Sequence, residues 1–117
     1  MMRLVAGTGL GILSMISVAS AVPMTNDMDL IYGKYQMAIR AAQLCRAAPD
    51  TDAVWRKWSG YLDEKTNHEL GAGERLSIIE GVKSDVTYMV RHQGCDSEPI
   101  QDLLALYDSE LAGLIAK

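Results

Sequence analysis

The 117-residue chain contains no phenylalanine, and its aromatic rings are two tryptophans and five tyrosines. Every ring therefore carries a polar atom that needs a partner or water once buried. Basic residues are also in short supply, eleven Lys and Arg against fifteen Asp and Glu. That balance argues against nucleic acid, whose affinity comes largely from Lys and Arg displacing counterions from phosphates. Anionic membrane surfaces are disfavoured on the same ground. No stretch alternates apolar and polar residues between hairpin turns, so strands are not expected. Cysteine is limited to Cys45 and Cys95, too few for a knot of disulfides and too few by themselves for a four-ligand zinc site.

What is present begins with a leader. Arg3 supplies an early positive charge, Leu4 to Val18 is uncharged and largely apolar, and Ala19, Ser20 and Ala21 are small. This is the three-part layout of a secretory signal peptide, with cleavage expected after Ala21. The competing reading is an uncleaved anchor, but glycines and hydroxyl residues dilute the hydrophobic run. The expected organisation is a signal peptide over 1-21 and a single helical domain over 22-117. Cleavage removes Arg3 and no other charge, leaving ten basic residues against fifteen acidic ones. No stable membrane insertion is expected after cleavage.

An exported chain meets an oxidising compartment, periplasmic or extracellular, where two cysteines normally pair. A structural disulfide between Cys45 and Cys95 is therefore expected. His92 and Cys95 have H-x-x-C spacing, but Cys45 has no ligand-type neighbour within four residues to complete a metal site. His92 reads better as a helix-terminal base that complements the dipole when protonated.

Four amphipathic segments fill the rest. The first runs from about Asn26 to Ala47, with Met28, Ile31, Tyr35, Ile39, Ala42 and Cys45 on one face. Ala48 and Pro49 stop it, because the residue before proline is pushed out of the helical region. Asp50, Thr51 and Asp52 offer caps for a second helix that carries Val54, Trp58, Tyr61 and Leu62 and ends near Leu70. A third follows Gly71-Ala72-Gly73, with Leu76, Ile79, Val82, Val86, Met89 and Val90 on its stripe and Gly94 as terminator. "DSEP" at 96–99 starts a fourth, bearing Ile100, Leu103, Leu104, Tyr107, Leu111 and Leu114. The fold class expected is all-α: a small four-helix bundle, up-down-up-down or related. Its first and third helices would then end together, which brings Cys45 to Cys95.

Motifs of catalysis fail on inspection. "HELGAGE" from His68 has Ala72 where a zinc protease needs its second histidine. "GAGERL" has Leu76 where a dinucleotide loop needs its third glycine, and no strand precedes it. Glu64 and His68 stand one helical turn apart, a pairing more often surface electrostatics than catalysis. No nucleophile, base and oxyanion donor can be assembled, so no enzyme and no cofactor are expected. Met24 and Met28 near Asp27 and Asp29 make a thin candidate for copper, resting on thioether softness alone.

The second helix is the most suggestive segment. In "VWRKWSGYLDEK" the bulk comes from Trp55, Trp58 and Tyr61, interleaved with Arg56 and Lys57. Trp, Tyr and Arg are enriched at binding hot spots, so Trp55, Arg56, Trp58 and Tyr61 are candidate partner-binding residues. The bland reading puts Trp58 and Tyr61 over the core. The function expected is a small exported non-enzymatic binding protein that engages another protein of the cell envelope, with a periplasmic small-ligand or copper carrier as the alternative. The architecture resembles acid-stress chaperones, immunity proteins and enzyme inhibitors of bacterial envelopes alike, and fold alone does not choose among them.

Overall fold

The computed structural model describes residues 27–116. The expected leader, its cleavage point and Met24 lie outside the described residues. Among those residues every regular element is helical: α1 Asp27–Arg46, α2 Asp52–Lys65, α3 Ala72–Gln93 and α4 Glu98–Leu106. A π-helical turn, Tyr107–Leu111, and a 3-10 turn, Ala112–Ile115, continue α4.

α1 begins with Asp27 and Asp29 and ends with Arg46, charges that complement its dipole at both ends. It stops as the backbone of Ala47 turns left-handed, with φ at 52°. The Ala48 N–H then reaches back to the Ala42 carbonyl, six positions earlier, at 3.2 Å. Thr51 caps α2 by accepting the Val54 N–H at 3.3 Å. α2 ends at Lys65, short of the expected boundary near Leu70. The reason is local: Thr66 donates its hydroxyl back to the Leu62 carbonyl at 2.8 Å, and Asn67 and His68 both take positive φ. His68 therefore stands beyond the helix, and the expected one-turn spacing from Glu64 is lost.

α1 is the central element, touching α2, α3, α4 and the π turn. Ala38, Ala41 and Ala42 are fully buried on it, and side chains this small let neighbouring helices approach closely. Contacts between α1 and α3 rise together in number: Asp29 with Glu74, Arg40 with Thr87, Cys45 with Cys95. These two helices therefore run in the same direction. α2 opposes α1, since Met28 meets Asn67 and Tyr35 meets Tyr61.

The Cys45–Cys95 disulfide is formed, with Cα atoms 5.8 Å apart. Ile39, Trp58, Leu62, Val86, Ile100 and Leu111 are fully buried and join one continuous core. One member of the expected α3 stripe does not belong to it. Leu76 is 56% exposed, and Ile78 takes its place beside Val82 and Val86. With 3.6 residues per turn, Leu76 lies about 120° around the helix from Val82, whereas Ile78 lies about 40° away.

Candidate functional site

The four candidates on α2 have separate fates. Trp58 is fully buried and donates its indole N–H to the Leu111 carbonyl at 3.2 Å. Its ring meets Tyr107 edge-on at 6.0 Å. Tyr61 is partly buried and donates its hydroxyl to Glu110 Oε1 at 2.6 Å. Arg56 is exposed. Trp55 is half-buried, packs edge-on against Trp58 at 5.2 Å, and donates its indole N–H to Asp50. The structure thus brings Trp55 and Trp58 together but commits Trp58 and Tyr61 to internal contacts.

The π turn makes two of those contacts. It presents the Glu110 carboxylate, which also accepts the Tyr35 hydroxyl at 2.5 Å, with Lys65 Nζ 3.8 Å away. The two tyrosine hydroxyls hold this carboxyl below the usual glutamate range. Conversely, burial and the Glu110 contact push the Tyr35 phenol up. For Tyr61 the Glu110 hydrogen bond is the main cause of a rise in the same direction. This knot of Tyr35, Tyr61 and Glu110 locks α1, α2 and the C-terminal turn together.

Trp55 has a second surface, on a cleft between α1, α2 and α3. The cleft has a volume of about 220 Å³. Ile39, Ile79, Val82 and the Trp55 ring supply apolar wall, while Asp50 and Lys83 stand at its exposed edge. Gln36, Arg40 and Gln43 of α1 complete the lining. Gln36 is buried and donates to the Tyr32 hydroxyl at 3.2 Å. Arg40 donates one Nη to Gln43 Oε1 at 3.4 Å and the other to Thr87 Oγ1 at 3.3 Å.

Arg40 and Gln43 each also hold a fully buried nitrogen without an acceptor, Arg40 Nε and Gln43 Nε2. Leaving a buried N–H unsatisfied costs about 1–3 kcal/mol, more when the group is charged. The Gln43 amide cannot turn over to relieve this, because its oxygen already accepts from Arg40. Apolar walls with a few convergent polar groups are the ordinary make-up of a small-molecule site.

These three polar residues were not singled out by sequence reasoning. The signal was there: Gln36, Arg40 and Gln43 recur at steps of four and three beside the apolar stripe, which places them on one side of α1. Among the described residues no group of three or more His, Cys, Asp or Glu could hold a metal ion. Likewise, none of their helices is long and apolar enough to cross a membrane. Comparison with known proteins finds no family model, no curated protein and no solved structure that matches the chain.

Proposed function

We propose that the chain is an exported, non-enzymatic binding protein, a disulfide-stapled up-down-up-down bundle that holds a small ligand in the cleft between α1, α2 and α3. One observation carries this reading: a cleft of about 220 Å³ with Ile39, Ile79, Val82 and the Trp55 ring as apolar wall and a few polar side chains, Gln36, Arg40 and Gln43 among them, in its lining. A ligand seated there would take the apolar surface of Ile39, Ile79 and Trp55 out of water. Export is supported by the leader pattern and by a disulfide of the kind that persists outside the cytosol. The periplasm or the exterior is the compartment proposed.

A protein partner is the second reading. It is favoured by the outer side of α2, where exposed Arg56 and Gly60 flank Trp55 along a shallow groove. The two readings put the perturbation on different residues. In an NMR titration of the processed, oxidised protein with a mixed fragment collection, cleft binding moves the Trp55 indole and the Arg40 and Gln43 side-chain signals. Shifts confined to Arg56, Ser59 and Gly60 on adding envelope extract would transfer the function to the outer face. Recovery of unprocessed protein from the cytosol with both thiols free would remove the exported part of the proposal.

A further inference from the structure

α2 and α4 are tied to α1 by specific bonds that leave α3 out. Tyr35 and Tyr61 converge on Glu110, Trp58 donates to the Leu111 carbonyl, and Arg46 pairs with Asp108, so α1, α2 and the turns that continue α4 form one knitted unit. α3 is held more lightly. It buries three of its 22 residues, Ile78, Val82 and Val86, against nine of 20 in α1. Those three recur at steps of four, a single row along the helix. α3 packs chiefly on α1. On the side towards α2, the cleft of about 220 Å³ stands between Trp55 and Ile79, so packing does not close that flank.

The polar ties of α3 are weak as well. Arg40 reaches Thr87 at 3.3 Å, beyond the usual span of an N–H···O hydrogen bond. The side chains of the Arg75–Asp63 pair are 32% and 33% exposed, and ion pairs open to water add little. In the first turn of α3, Glu74 meets Asp29, a contact between two acids that attracts only while a proton is held there. The other end differs, because the Cys45–Cys95 disulfide fixes the chain leaving α3 to the end of α1. Elements with few buried apolar contacts open first, and as units. We infer that α3 undocks from α1 as a separate unit, pivoting at the Cys45–Cys95 disulfide, while α1, α2 and α4 stay assembled. Undocking draws Ile79 and Val82 away from Ile39 and Trp55 and so opens the cleft; that this motion admits a ligand rests on the small-ligand reading above.

The test is native-state hydrogen exchange of the processed, disulfide-bonded protein in low urea, followed amide by amide by NMR. Most of a helix's stability in a protein comes from tertiary packing, so undocking shows as exchange of α3's own amides. The Ile78 and Val82 amides are expected to exchange at least about tenfold faster than those of Ile39 and Leu104, with a shallower urea dependence because less surface is exposed. Tyr61→Phe, which removes one bond from the knitted unit, should speed the Ile39 and Leu104 amides at least about fivefold, the equivalent of one net hydrogen bond, and leave Ile78 and Val82 unchanged. Glu110→Gln replaces it if Tyr61→Phe does not alter overall stability. Equal protection of α3 and α1 in the parent, or a variant that speeds all four amides alike, would overturn the inference and leave the small-ligand reading intact. Absence of cleft binding in the fragment titration would remove the ligand-admitting role and leave the undocking of α3 in place.

Discussion

The Tyr35 hydroxyl donates to Glu110 Oε1 at 2.5 Å, joining the middle of α1 to a π turn 75 residues further along the chain. Tyr61 donates to the same oxygen, so one carboxylate satisfies the hydroxyls of two rings. In a chain without phenylalanine, such a shared acceptor lets tyrosines serve as packing residues.

The pH dependence of stability follows from this knot. The Tyr35 and Tyr61 hydrogen bonds depress the folded-state pKa of Glu110, so the unfolded chain takes up that proton first as pH falls. The stabilisation is complete above the ordinary glutamate range, about 4.3, and disappears as pH falls through the folded value. Glu74 behaves oppositely. Its hydrogen bond to Asp29 is the main cause of a raised pKa, so its contribution is complete below the ordinary range and fades as pH rises through the folded value. Urea unfolding across pH 3 to 7 should show Glu110→Gln losing stability at neutral pH, with a gap that narrows in acid. Glu74→Gln, which remains a hydrogen-bond donor, should be at least as stable as the parent at neutral pH.

The disulfide links positions separated by 50 residues. Loop-closure entropy for that separation corresponds to about 4 kcal/mol of stabilisation. A Cys45→Ala, Cys95→Ala double variant should therefore show a much lower urea midpoint, by about that amount in unfolding free energy. A difference below about 1 kcal/mol would mean the unfolded chain already holds these two ends near each other.

Trp58 combines full burial, an indole hydrogen bond to Leu111 and edge contacts with Trp55 and Tyr107. Trp58→Ala should cost about 3–5 kcal/mol through the cavity it leaves. Trp58→Phe keeps most of the packing but strands the Leu111 carbonyl, and should cost less. Thermal unfolding followed by circular dichroism separates the two.

Ala47 holds a left-handed backbone at the end of α1. An L-residue pays about 1–2 kcal/mol for that conformation, whereas glycine adopts it freely at the expense of a more flexible unfolded chain. Ala47→Gly should raise stability by a fraction of 1 kcal/mol up to about 1 kcal/mol. A lower unfolding midpoint would show that the alanine methyl makes a packing contact worth more than the backbone strain.

Much of the frame can be read from the residues. The first helix is bounded by its acidic start and the Ala48-Pro49 stop, and the observed Asp27–Arg46 follows. The start of the fourth is marked by the "DSEP" signal, and the helix begins at Glu98 with a proline in its first turn. Such boundaries depend on neighbours in sequence, which is why they are legible. The end of α2 was misplaced because its termination rests on the Thr66 hydroxyl turning back to Leu62, a choice the helical pattern through "HEL" does not announce. The π turn was equally hidden, since an inserted residue in a helix leaves the apolar spacing nearly intact.

The amino-acid sequence by itself determined four amphipathic segments, their order and the pairing of the only two cysteines, because periodicity, caps and cysteine count act locally or by elimination. Tertiary structure alone decided that Trp58 and Tyr61 face inward and that Gln36, Arg40 and Gln43 line a cleft. Those outcomes depend on which helix lies opposite each side chain and how far away it stands. A helix has one sequence around its whole circumference, and only its packed neighbours fix which polar groups keep an acceptor and which are left without one.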